Sequence, residues 1–77
     1  MIEVLRELSI CDKPWAAKRA EMAVALAEQF EGGGLDAFEY EMLMLDLIED
    51  SKLDREADDL EIKSLLITAV HQVSGHI

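Results

Sequence analysis

Apolar residues recur at spacings of three and four along almost the whole of this 77-residue chain. Residues three and four apart share one face of a helix, whereas a half-buried strand needs strict alternation. Strong breaks in the pattern stand at Pro14 and at Gly32, Gly33 and Gly34. We therefore predict an all-α fold, a compact three- or four-helix bundle. Residues 1–77 should form a single α-helical domain, because one domain usually needs about 50–150 residues.

The first two helices are predicted over residues 2–10 and 13–31, with the three glycines ending the second helix. Asp12 precedes Lys13 and Pro14, and we expect it to cap the second helix, since Asp accepts hydrogen bonds from first-turn N–H groups. Two apolar stripes run side by side along this helix, so it should be covered on more than one side and lie centrally. One stripe is Trp15, Met22, Leu26 and Phe30, and the other is Ala16, Ala20, Ala23 and Ala27.

Arg19 interrupts the stripe of large apolar residues. In one interpretation its aliphatic stem packs on the stripe while the guanidinium reaches solvent or a carboxylate. In the other, Arg19 forms a buried or interface ion pair with an acid of the third or fourth helix. Arg19 is therefore our candidate for an interface ion pair.

The third helix begins with a recognisable signature. Asp36 and Glu39 have the spacing of a capping box, and Leu35 and Tyr40 stand at the positions of a hydrophobic staple. The predicted core face consists of Tyr40, Leu43, Met44, Leu47 and Ile48.

A second apolar stripe on the third helix is formed by Phe38, Met42 and Leu45. A surface helix needs only one apolar face, so this stripe is either buried between two helices or an interaction surface. Aromatic and Met side chains are common at interaction surfaces, and we favour a homodimer or partner interface.

The C-terminal part is predicted to be a long helix or a broken helix pair, because no glycine or proline separates the third and fourth helices. We favour a break near residues 51–54, with Ser51 or Asp54 as the new N-cap, since the core face meets polar residues there. The fourth helix should then end at Gly75. Its predicted core face is Ile62, Leu65, Leu66, Ala69, Val70 and Val73.

The net charge is −10, and residues 36–77 carry −8 of it, from eleven acids and three bases. A polyanion of this kind should be repelled by nucleic acid and by anionic lipid, so we expect no direct nucleic-acid binding and no membrane association. Cys11 is the single cysteine, which excludes an internal disulfide and favours a reducing, cytoplasmic location.

Residues 46–61 hold eight carboxylates and two cations. Residues 54–58 begin like a calcium loop, but Asp59 replaces the required glycine and Leu65 the bidentate glutamate. Neither His71 nor His76 has zinc-site spacing to other ligands, and both are interpreted as groups at a helix C-terminus. We therefore predict no catalytic residue, no metal site and no cofactor.

One enzymatic alternative rests on two acidic pairs, Glu28 with Glu31 and Glu56 with Asp59. Their spacing is similar to that in the magnesium sites of all-α nucleoside triphosphate pyrophosphohydrolases. Carboxylates suit Mg²⁺, which prefers oxygen ligands. The resemblance implies a Mg-dependent nucleotide pyrophosphohydrolase as an alternative function.

The function we predict is that of a non-enzymatic, acidic protein–protein interaction module. It would regulate or inhibit a larger protein that is basic or handles nucleic acid, and its acids could mimic phosphates. A self-assembling or chaperone-like subunit, expected to be a homodimer, is the structural alternative. The predicted partner-binding residues are Phe38, Met42, Leu45, Asp46, Glu49, Asp50, Asp54, Glu56, Asp58 and Asp59.

Overall fold

Residues 1–75 are described by the computed structural model and contain five α-helices and no strand. The helices are α1 (Ile2–Leu8), α2 (Pro14–Glu31), α3 (Ala37–Glu49), α4 (Ser51–Glu56) and α5 (Leu60–Val73). This confirms the prediction of a small all-α bundle. No helix within these residues is long and apolar enough to cross a membrane. The interpretation given for His76 falls outside the described residues.

The start of α2 differs from the prediction. Lys13, and not Asp12, occupies the N-cap position, with φ −110° and ψ 100° and no capping hydrogen bond from its side chain. A proline forces extended backbone on the residue before it, because its ring clashes with a helical neighbour. Pro14 therefore sets the boundary itself, and the predicted Asp12 cap is wrong.

The predicted glycine end of α2 is confirmed. The N–H of Gly34 donates to the carbonyl of Gln29 at 2.9 Å, and the N–H of Gly33 donates to that of Phe30 at 3.1 Å. These two bonds form a Schellman motif, which satisfies carbonyls that the helix leaves unpaired. Gly33 has φ +82°, a left-handed conformation that costs a residue with a side chain about 1–2 kcal/mol.

The predicted capping box at the start of α3 is confirmed as well. The N–H of Glu39 donates to the Asp36 carboxylate at 2.8 Å, and the N–H of Asp36 donates to the Glu39 carboxylate at 3.3 Å. Tyr40 is buried in the same turn and Leu35 packs against the core.

The chain breaks twice after α3, so a continuous helix from 37 to 73 is not formed. Asp50 ends α3, and its carboxylate accepts a hydrogen bond from the N–H of Leu53 at 2.9 Å to begin α4. Asp59 begins α5 in the same way, by accepting from the N–H of Ile62 at 3.0 Å. The predicted break is therefore present, but the predicted caps Ser51 and Asp54 are wrong.

The alanine stripe of α2 lies at the centre of the bundle, where α2 contacts α1, α3 and α5. Ala16, Ala20 and Ala23 are fully buried, because small side chains allow neighbouring helices to approach closely. The stripe of large residues faces the core only in part, since Met22 is 47% exposed and Phe30 is 38% exposed.

Two leucines that were assigned to the core lie at its edge. Leu43 in α3 is 41% exposed and Leu65 in α5 is 43% exposed. Each stands at the margin of its helix's apolar arc, where the neighbouring helix does not reach over it. The rest of those two arcs is largely buried, with Met44, Leu66 and Val70 inaccessible to solvent.

Candidate partner-binding surface

Arg19 bonds to the chain on both sides of the α3–α4 junction. Its Nε donates to the carbonyl of Leu47 at 3.0 Å, and its Nη2 lies 3.3 Å from Asp50 and 3.0 Å from Glu56. Its Nη1 donates to the carbonyl of Trp15 at 3.1 Å. The side chain is only 11% exposed. The ion pair proposed from the sequence therefore exists, and the structure places it inside one chain.

The Leu47 carbonyl explains why a cation is needed at this place. It belongs to the last turn of α3, where carbonyls have no partner within the helix and carry the negative end of its dipole. The last turn of α3 contains no basic residue of its own. Arg19 of α2 supplies the missing donor and charge.

Asp58 ties the segment after α4 to the start of α2. Its carboxylate accepts a hydrogen bond from the indole Nε1 of Trp15 at 3.0 Å and lies 3.4 Å from the Lys13 ammonium. The indole hydrogen bond, followed by the charge of Lys13, lowers the pKa of Asp58 below its ordinary value of 3.8.

Two further contacts hold α4 in place. Asp54 lies 2.8 Å from the ammonium of Lys63 in α5, and Leu53 is 1% exposed. The N–H of Leu53, and after it the charge of Arg19, lowers the pKa of Asp50 below its ordinary value of 3.8. The carboxylates of the 50–59 segment named as partner-binding thus already cap helices or pair with cations of this chain. Their binding of a partner stays a prediction.

The two acidic pairs of the enzymatic alternative lie apart. Glu28 is 3.8 Å from Arg6 of α1, whereas Glu56 is 3.0 Å from Arg19. Glu28 follows Arg19 by nine residues on α2, which is about 13 Å along the helix. Within residues 1–75, no three His, Cys, Asp or Glu side chains are grouped so that they could hold a metal ion.

The outer face of α3 carries apolar side chains together with acids. Phe38 is 72% exposed and Met42 is 48% exposed. Leu45, the third residue of the predicted stripe, is partly buried and packs against the core. Asp46 and Glu49 are exposed on the same face. Within residues 1–75, neither has an ion pair or a side-chain hydrogen bond, in contrast to the acids of the 50–59 segment.

A groove runs beside this face, between α2 and α3, and we call it the α2–α3 groove. One part is a cavity of about 340 Å³ with the apolar side chains Met22, Leu26 and Leu43 in its lining. A second cavity of about 480 Å³ continues the groove to Pro14 and shares Met22, Asp46 and Leu47 with the first. Sequence reasoning missed the groove because Leu43 was assigned to the core and the stripe that contains Met22 was expected to be covered.

A separate apolar patch lies on α5. Leu60 is 77% exposed and Leu65 is 43% exposed, and the two line a surface cavity with Glu61, Ser64 and Thr68. Leu65 was predicted to lie on the buried face of its helix. The patch shares no lining residue with the α2–α3 groove.

No known protein family, no curated protein and no solved structure matches this chain.

Proposed function

We propose that this protein is a non-enzymatic interaction module that binds a basic protein partner and acts as its small regulator or inhibitor. The observation that carries the proposal is the outer face of α3, where Phe38 and Met42 are exposed beside Asp46 and Glu49. Large apolar side chains in water and carboxylates without a partner in the described chain are the two components of a charged interface.

The charge of the molecule selects the kind of partner. With a net charge of −10, the chain attracts a basic surface and repels a second acidic one. Such a field mainly raises the rate of encounter, and the apolar side chains at the centre of the contact supply most of the affinity. The exposed side chains of α3 combine both features on one face.

Phosphate mimicry receives less support than general charge steering. A mimic should offer a basic groove a row of carboxylates with no cation of its own beside them. Asp50, Asp54, Glu56 and Asp58 each lie within 3.4 Å of an Arg or Lys of this chain. We therefore place the proposed partner contact on α3 and not on the 50–59 segment.

The test is capture of partners from the source cells with a tagged chain and a tagged double variant, Phe38→Ser/Met42→Ser. Leu60→Ser/Leu65→Ser is the matched control, because it removes two equally exposed apolar side chains from α5. We expect the wild type and the control to enrich the same basic protein, and the α3 variant to lose it. Enrichment of that protein by all three forms, or of acidic proteins only, would contradict the proposal.

A further inference from the structure

We infer that the α2–α3 groove is the seat of one basic amphipathic helix contributed by the partner. This inference deepens the proposed function and rests on it.

The groove has the dimensions of a helix site. Its two cavities follow α2 from Pro14 to Gln29, and fifteen residue steps of helix span about 22 Å. A bound helix of the same length would have about four turns. Helix-in-groove binding uses apolar anchors at i, i+3, i+4 and i+7, which one continuous groove can receive along its length.

The lining of the groove selects an amphipathic helix. Met22 is 47% exposed and Leu43 is 41% exposed, and the half-buried Leu26 lines the same cavity. Methionine is flexible and polarizable, so it adapts to different apolar anchors. Covering these side chains removes apolar area from water, which a purely basic, unpatterned segment cannot do.

Charge favours a basic helix over a second copy of this chain. Among the described residues, Asp46 is the one charged residue that lines the cavity beside Met22 and Leu43. The cavity nearer Pro14 is lined by three cations and three carboxylates, which are Lys18, Arg19, Lys52, Asp46, Asp50 and Glu56. A second copy would bring another net charge of −10 to this groove, and the like charges would repel. Lysines and arginines flanking the apolar anchors would instead meet Asp46 and be attracted by the net charge of the chain.

The test uses a labelled 15-residue peptide of leucine and lysine, with leucines at i, i+3, i+4 and i+7, read by fluorescence anisotropy at low salt. Its control has the same composition in an order that places leucines on all sides. We expect the patterned peptide to bind about 10-fold more tightly, because only it can insert several apolar anchors together. Equal affinity for the two peptides, or no binding of either, would overturn the inference.

The site is located with single variants. Leu43→Ser and Met22→Ser should each weaken peptide binding by about 5-fold or more, whereas Leu65→Ser, equally exposed but on α5, should leave it within about 2-fold. Asp46→Asn should flatten the salt dependence of binding more than Glu61→Gln, which removes the same charge beside the α5 patch. Thermal melts of the variants check that each is folded. Equal weakening by Leu43→Ser and Leu65→Ser would contradict the groove.

Binding of the captured partner to the variants distinguishes failure of this inference from failure of the proposed function. In one outcome the partner is lost by Phe38→Ser/Met42→Ser but bound normally by Leu43→Ser and Met22→Ser. That result would support the proposed interaction function and contradict the groove as the binding site. A partner bound equally by all of these variants would exclude both. Loss of the partner in both sets supports both.

Discussion

At the scale of single residues, Arg19 connects more of the chain than its position on an apolar stripe suggests. One guanidinium donates to the Leu47 carbonyl in the last turn of α3 and pairs with two carboxylates, Asp50 just before α4 and Glu56 at its last residue. Arginine can bind all of these acceptors because its planar guanidinium carries five N–H donors on three nitrogens. A lysine ammonium has three donors on one nitrogen and could not bind all of them at once.

We expect Arg19→Met to lower the free energy of unfolding by about 1–2 kcal/mol, because the Leu47 carbonyl loses its donor while both carboxylates can return to water. Arg19→Lys should recover only part of the loss. Lys18→Met, an exposed cation one residue earlier, is the control and should stay within about 0.5 kcal/mol. Urea unfolding at neutral pH measures all three, and equal effects at positions 18 and 19 would contradict the assigned role.

Asp58 gives the fold a dependence on pH. Its pKa is lowered in the folded chain, first by the Trp15 indole hydrogen bond and then by the charge of Lys13. A folded pKa below the unfolded one means that the carboxylate stabilises the fold above its ordinary pKa of 3.8. That stabilisation is lost as the pH falls through the folded pKa, where both states are protonated.

Asp58→Asn should therefore lower the unfolding midpoint at pH 7, and the difference from wild type should shrink as the pH falls below about 4. Glu49→Gln removes the same formal charge from a side chain without a hydrogen bond or ion pair in residues 1–75, so it controls for the effect of net charge. Thermal unfolding of the three proteins between about pH 2 and pH 7 tests this. A difference at position 58 that is constant with pH would exclude the interaction.

At the scale of elements, local chemistry was predictable and the choice between apolar faces was not. The Asp36–Glu39 capping box and the glycine end of α2 depend on neighbouring residues alone, and both are as predicted. The helix α4 was not foreseen, since six residues with one buried side chain, Leu53, show no periodicity. Asp50, which caps α4, and Asp59, which caps α5, are two among eight acids of residues 46–61, so composition gave no reason to select them.

The choice between apolar faces also affects the candidate site. A helix with two apolar stripes does not show which one its neighbours cover, and Leu43 was assigned to the core while Leu45 was assigned to the interface. The structure exposes Leu43 and packs Leu45 against the core. Phe38 and Met42 are exposed, as the favoured interface interpretation of their stripe predicted. That Leu43 lines one cavity with Met22 of α2 depends on how the two helices cross.

The two faces of α3 can be separated with one substitution made at two positions. Met42→Glu should leave the protein folded, because that side chain is already 48% exposed. Met44→Glu should unfold it, because Met44 is fully buried and a charge there would lack water and a partner. Circular dichroism at about 20 °C distinguishes the outcomes. An unfolded Met42→Glu variant would mean that this stripe is part of the core.

At the scale of the whole molecule, net charge opposes one of the two candidate assemblies and favours the other. The homodimer predicted from the stripe of α3 would bring together two chains that each carry −10. A basic partner would instead lower the total charge. Salt screens charge interactions over about 10 Å at 0.1 M. It therefore weakens the attraction to a basic partner and also weakens the repulsion between two copies of this chain.

We therefore expect association with a basic partner, or with the leucine–lysine peptide, to weaken as NaCl is raised from about 20 to 500 mM. Any self-association should strengthen over the same range, because the repulsion between like charges is screened while the apolar contact remains. Sedimentation equilibrium should give a mass near the 8.6 kDa of one chain at low salt. A mass near twice that value at low salt, falling as salt is added, would require attraction between the two chains. The exposed side chains of α3 would then belong to a homodimer, and the basic partner would have to bind elsewhere.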